Sequence, residues 1–271
     1  GRRATRRRQS TKSVLIALVS SVVFVVVVGW TILSSPGWED VRRAFFDPEI
    51  ALASFPSILA GLWVNIQVLF VAAIAVAILG TTLAVLRSLR GPVFFPLRAL
   101  ATIYTDLFRG IPLLIVLYLV GFGLPALGVF GRVPVVLWGT IAIVLTYSAY
   151  IAEVLRAGME AVHPSQRVAA RSLGLSHAQT LRIVVIPQGV RKVVPALMND
   201  FVSLQKDVGL ISVLGAVDAV RAAQIASAQA YNFTPYIVAA LLFVAMALPM
   251  IRLTDYVSAR LAKREQMGGT V

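Results

Sequence analysis

The sequence has no cysteine, only two histidines (His163 and His177), and charged side chains at just 14% of its 271 positions. Without cysteine there can be no disulfide, thiolate metal site or cysteine nucleophile, and the redox compartment leaves no trace. Two histidines leave little material for a metal site. None of the four lysines follows a glycine, so the chain has no G-x-x-x-x-G-K loop to cradle a nucleotide. What is abundant is apolar: 58% of residues are hydrophobic and the mean hydropathy is +0.84. Soluble domains run at about 45–50% apolar and about 25% charged. The excess must face something other than water, and a lipid bilayer is the candidate. The formal charge of +13 would by itself suggest nucleic acid, so the positions of the charges matter more than their sum.

A bilayer core about 30 Å thick needs roughly 20 helical residues. Six runs qualify: 14–33, 59–86, 99–123, 134–152, 183–214 and 235–257. The first follows a basic segment, 1–13, that resembles the start of a signal peptide. Its apolar stretch exceeds the ~7–15 residues of a signal core and no A-x-A-like site follows, so it reads as a retained helix. Strands of a membrane barrel would alternate apolar and polar residues, whereas these runs are apolar on every face. The expected fold is an all-α membrane protein with six transmembrane helices. With the N-terminus inside, the inner segments 1–13, 87–98, 154–192 and 252–271 hold 6, 3, 6 and 4 Lys or Arg, 19 in all, against 4 in the outer loops. This positive-inside bias places both termini in the cytoplasm and accounts for the net charge without nucleic acid.

The segment 154–192 is too long and too patterned for a connector. The fourth helix is expected to run on to about Val162. Pro164 suits a first helical position, Ser165–Leu173 reads as a short helix, and Gly174 as its left-handed stop. Ser176 and Gln179 form a capping-box pair for a further helix, which leads to Pro187 and the fifth span. A helix–Gly–helix unit with a small Ala169–Ala170 face could insert into a partner's groove. Its Arg167, Arg171 and Arg182 would equally suit an amphipathic pair lying on lipid headgroups.

The order Ala169, Ala170, then Gly174, then Val184, Ile186 and Pro187 resembles the signature loop of permease subunits of ATP-binding-cassette importers, E-A-A, three residues, G, nine residues, I-x-L-P. The stretches 61–67, 108–128, 149–158 and 187–215 are similar to the polar-amino-acid branch of that family, in the family's order. The resemblance covers about 57–257 and implies a five-helix core, to which 14–33 adds an extra N-terminal helix and 258–271 a cytoplasmic tail. Val168 departs from the family's usual glutamate, Ser165 from its frequent Gly, and Val208-Gly209 from its Thr-Ser.

The resemblance implies half of a dimeric translocation path in the bacterial plasma (inner) membrane. The second half would be the same chain or a homologue. Separate ATPase subunits would bind ATP and Mg, since this chain carries no cofactor and is not itself an enzyme. An extracytoplasmic solute-binding protein would deliver a polar amino acid, glutamate or glutamine being the guess. Pro164, Ser165, Val168, Ala169, Ala170, Gly174 and Pro187 would couple to the ATPase.

Ionisable groups at membrane depth are costly and default to functional roles. On the fifth span these are Asp200, Lys206 and Asp207, with Asn199, Ser203 and Gln205 beside them. Lys206 or Arg109 could meet a substrate carboxylate, and Asp200, Asp207 or Glu153 its ammonium. Alternatively the charges pair to hold helices together, as Asp106 and Arg109 could at a spacing of three. Glu153 could equally tie the fourth span to the cytoplasmic segment. Asn65 and Gln67 lie two apart, so at best one faces the path. Tyr147 and Tyr150 read as packing and interface anchors, and both histidines as surface residues. Two other classes compete. A membrane-embedded enzyme would need a nucleophile–base or metal cluster within the spans, where there is no His or Cys. A sensor or assembly subunit of the same fold would have no use for the polar fifth span.

Overall fold

A computed structural model describes residues 2–89 and 91–268, with side chains described for 14–89 and 91–261. The basic side chains of 1–13, and those of the tail from 262 onward, lie outside the described residues. All regular structure among the described residues is helical. The elements are α1 (Arg2–Leu33), α2 (Trp38–Phe45), α3 (Pro48–Ser88), α4 (Phe95–Gly110), α5 (Leu113–Ala126), α6 (Val135–Glu160), α7 (Pro164–Ser172), α8 (His177–Leu214), α9 (Ala219–Ala230) and α10 (Thr234–Gly268).

Four helices are each long and apolar enough to cross a membrane, and two bent pairs, α4 with α5 and α8 with α9, raise the number to six. The run 99–123, whose Pro112, Gly121, Gly123 and Pro125 mark a helix that bends or ends early, is accordingly not one straight helix. Pro112 follows the end of α4, and α5 leaves at 107° to it, because proline disfavours helical geometry in the residue before it. The second bent pair turns by 52°, and its short outer member α9 has no counterpart among the six expected spans. Pro125 and Pro187 each come just after a π-helical turn, Leu119–Gly123 and Leu181–Val185. A proline removes one ladder hydrogen bond and crowds the carbonyl four residues back, and a wider turn relieves that crowding. The helix thus runs through Pro187 instead of starting there.

α3 is the axis of the bundle, and three apolar clusters lie along it. At one end Ile58 and Leu62 pack with Ala219, Ala222 and Ala223 of α9 and Val238 of α10. In the middle Val68, Ala72 and Val76 meet Leu117 of α5, Ile143 of α6 and Ile211 of α8. At the other end Leu83 and Ala84 meet Ala152, Leu155 and Met159 of α6 and Leu181 and Val185 of α8. α1 stands apart, with none of its apolar window buried against the rest.

Asn65 is fully buried in α3, which removes it from any path-lining role. Its amide nitrogen donates to the Val208 carbonyl at 3.2 Å and to Asp218 Oδ2 at 2.9 Å, while its oxygen accepts from the Ala219 amide at 3.1 Å. Asp218, also fully buried, caps α9 by accepting from the Arg221 amide at 2.9 Å. A side chain on Gly61, one turn before Asn65, would overlap the backbone of Asp218 and Ala219, so only glycine permits this approach. Replacing Asn65 by leucine removes three of these bonds and leaves the Asp218 carboxylate with its helix-cap contact alone. Losing a hydrogen bond to a buried charged group costs about 1.5–3 kcal/mol. We expect Asn65→Leu to lower the thermal midpoint of the detergent-purified protein by roughly 5 °C or more; an unchanged midpoint would refute the assignment.

Candidate functional site

Two regions break the apolar pattern: a polar cavity within the bundle and the surface unit around α7. The cavity is built on one face of α8, where Asp200, Ser203 and Asp207 recur at spacings of three and four. A chamber of about 350 Å³ is lined by these three with Thr146, Tyr147 and Tyr150 of α6 and Leu113 of α5. A second chamber, of about 290 Å³, shares Tyr147 and Asp200 and is otherwise almost wholly apolar. The Tyr147 hydroxyl donates to Asp207 Oδ2 at 2.7 Å. Asp200 Oδ2 and Thr146 Oγ1 are buried and have no hydrogen-bond partner among the described residues. An unsatisfied polar atom in such a setting costs about 1–3 kcal/mol, so these two atoms are open positions for a polar ligand group. Tyr147 is packed in the central apolar cluster, as expected, and is also a wall of both chambers.

The other expected path residues fall elsewhere. Lys206 and Asn199 are exposed on the strip of α8 beside the cavity face, and Gln67 is exposed on α3. Glu153 meets neither the cavity nor α7. It accepts from Arg87 at 2.7 Å and from Arg156 at 2.5 Å, and Arg109 stands 3.6 Å away. Arg109 thus pairs with Glu153 of α6 and not with Asp106, which is exposed. The cluster gathers the ends of α3, α4 and α6 on one carboxylate. Its signal in the sequence was weak, because Arg87 lies 66 positions from Glu153.

The surface unit has the expected local chemistry. Pro164 opens α7 behind His163, whose ring accepts from the Ser165 amide at 3.3 Å. Gly174 has φ +83°, a left-handed conformation that glycine adopts without strain. It lets the Leu175 amide reach back to the Ala170 carbonyl at 3.2 Å. Ser176 and Gln179 form the reciprocal capping box at the start of α8. The expected Ala169–Ala170 face is split: Ala170 is buried, whereas Ser165, Val168 and Ala169 are exposed along with Leu173. Pro187 is exposed in α8, away from the tip. The Arg167 guanidinium ties the unit to α6 by donating to the Met159 carbonyl at 2.8 Å, and Lys192 of α8 donates to the Ala161 carbonyl at 2.5 Å. His163 is exposed as expected, and His177 is partly exposed, with its Nε2 enclosed.

A multi-pass helical bundle with a polar cavity at depth and a rigid helix–turn unit at one end is the architecture of a membrane transport component. A family described as the binding-protein-dependent transport system inner membrane component matches residues 91–263, and the chain belongs to that family. It is 32% identical over 203 residues to the arginine transport system permease protein ArtQ of Bacillus subtilis, a match covering 74% of this chain and 91% of that one. The crystal structure of an amino acid ABC transporter with histidines superposes with a TM-score of 0.68 at 34% identity, over 76% of this chain and 94% of that chain. An inward-facing MetNI methionine ABC transporter matches in fold, with a TM-score of 0.56 at 19% identity over 75% and 95% of the two chains.

The Glu153 cluster carries a consequence for stability. Glu153→Gln keeps the shape but leaves Arg87, itself largely enclosed, without its counter-charge. A lost hydrogen bond to a charged group costs about 1.5–3 kcal/mol. The expected outcome is a lower thermal midpoint, with Glu153→Asp recovering part of it. Equal midpoints for wild type and Glu153→Gln would show that the arginines do not depend on this carboxylate.

Proposed function

We propose that the chain is the permease subunit of a binding-protein-dependent ABC importer for a polar amino acid, with α7 docking on a separate ATPase and the α8 cavity contributing to the path. The observation that carries this reading is the α8 cavity, with an unpartnered Asp200 oxygen in an otherwise apolar bundle. A subunit serving only as sensor or scaffold gains nothing from that cost. In this reading 57–257 is the transport core, both termini are cytoplasmic, and the exposed strip bearing Asn199 and Lys206 faces a second permease subunit across the path. ATP with its Mg is bound by the ATPase, and a solute-binding protein delivers substrate from outside.

The cavity also narrows the substrate class. Two carboxylates and no basic side chain line it, which suits the ammonium group of an amino acid and disfavours a second carboxylate on its side chain. A neutral or cationic amino acid such as glutamine or arginine fits better than glutamate. The similarity to an arginine permease supports the same direction. We expect uptake by the reconstituted complex, screened against the twenty amino acids, to favour these, and Asp200→Asn to cut that uptake at least tenfold while the complex still assembles. Preferred uptake of glutamate, or full activity of Asp200→Asn, would defeat the substrate assignment.

Docking is tested separately. Gly174→Pro destroys the left-handed turn between α7 and α8. It should leave the protein in the membrane yet abolish substrate-stimulated ATP hydrolysis and uptake together. Normal uptake by this variant would defeat the assignment of α7.

A further inference from the structure

Between α7 and the start of α8 lies a cavity of about 730 Å³ that the local packing does not explain. Its lining includes Arg167, Arg171, Ser172, His177 and Thr180, with Val168 at its edge, and no carboxylate. The surrounding chain has none to lend. From Ala161 to Asn199 there are four arginines, one lysine and no Asp or Glu. Thr180 is only 4% exposed, and its hydroxyl has no partner among the described residues; the same holds for the enclosed His177 Nε2. Arg167 and Arg171 each commit one nitrogen to a backbone carbonyl, of Met159 and Leu175 respectively. A guanidinium has five N–H donors, so both retain capacity directed at an acceptor.

Buried donors without acceptors are costly, and like charges sharing a cavity repel. Both costs vanish if an oxyanion enters. The cavity is far larger than a small free ion needs. Its edge is continuous with the exposed Val168 and the docking surface formed by Ser165, Ala169 and Leu173. Size and continuity favour a side chain carried on a protein surface over a solute ion. We infer that this cavity receives a carboxylate side chain of the ATPase subunit, an Asp or Glu that enters between α7 and α8 and accepts from Arg171 and the Thr180 hydroxyl. The inference rests on the docking role of α7 and specifies the chemistry of its partner: the ATPase face that meets this chain carries an acidic residue opposite Arg171.

The test measures binding of the cognate ATPase subunit to the full-length permease in nanodiscs. Salt is varied between about 0.05 and 0.5 M, a range over which the Debye length falls severalfold. Wild type should bind at least tenfold more weakly at high salt. Arg171→Glu, at an exposed position, should weaken low-salt binding at least tenfold and flatten the salt dependence. Val168→Glu, which restores the family's usual residue beside the arginines, should lower the salt dependence by supplying them a carboxylate of this chain, whereas the near-isosteric Val168→Thr should bind as wild type. A reversing Asp→Lys or Glu→Lys on the ATPase should restore binding to Arg171→Glu. Wild-type affinity and salt dependence in both glutamate variants would overturn the carboxylate inference and leave docking intact. So would variants that lose only binding to anionic phospholipid vesicles. A wild-type permease that binds no ATPase at any salt would overturn the docking reading itself.

Discussion

The arrangement depends first on how the bundle satisfies the backbone groups where α8 ends. A membrane-spanning helix must meet all its polar groups internally, and the break between α8 and α9 frees several at once. Asn65 closes that gap with one side chain, donating to the last regular turn of α8 through Val208 and accepting from the first residue of α9. Its contact with Asp218 adds an N-cap to the bond. The end of α8 next to α9 is thereby fixed to α3, the axis of the bundle. Since helical rotation is rigid over so short a distance, Asp207 and Asp200 are fixed with it toward α6. The cavity follows from the knot.

At the opposite end a charge cluster performs the comparable task by different means. Glu153 is half-buried within α6, and three arginines from α3, α4 and α6 converge on it. Ion pairs at such a depth hold position mainly because removing one partner strands the others. The contrast follows from environment: neutral amide chemistry with one capped carboxylate closes the outer break, and a multi-arginine cluster closes the other end. Between the two, the cavity is where polar groups remain unsatisfied.

Much of this was legible in the residues. The membrane class followed from composition, because apolar runs of helical length have one physical use. The turns of the α7 unit were readable to within a residue, since Pro164, Gly174, Ser176 and Gln179 act through local backbone chemistry that spacing alone determines. What could not be read was tertiary. Asn65 looked like a path residue because an amide in an apolar run is equally consistent with a ligand contact or a buried knot, and its partner is 153 positions away. Arg109 looked paired with Asp106 because helical spacing offers the local partner first, while Glu153 arrives from another helix. The helix α9 was hidden for a related reason. Hydropathy counts residues along the chain, and a broken span has nearly the same count as a straight one.

The helix α8 joins the α7 unit, the docking element of the proposed function, to the cavity. It begins at the capping box, lines the basic cavity with His177 and Thr180, carries Asp200 and Asp207, and ends at the Asn65 knot. From His177 to Asp200 the rise is roughly 35 Å, all of it one helical element. Its π turn at Leu181–Val185 lies just after the docking end. A wider turn of this kind is where the regular ladder is interrupted, so a displacement of α7 is absorbed there first, and what remains passes along the regular part of α8. Because the knot holds the far end, that remainder can only tilt or rotate α8 against α6. The contact most exposed to such a rotation is Tyr147–Asp207, whose geometry depends on both helices at once. In the proposed reading, coupling between a partner docked on α7 and the polar cavity needs no chain of side-chain relays. It requires one helix fixed at its α9 end, compliant near its α7 end, and bearing the cavity carboxylates between.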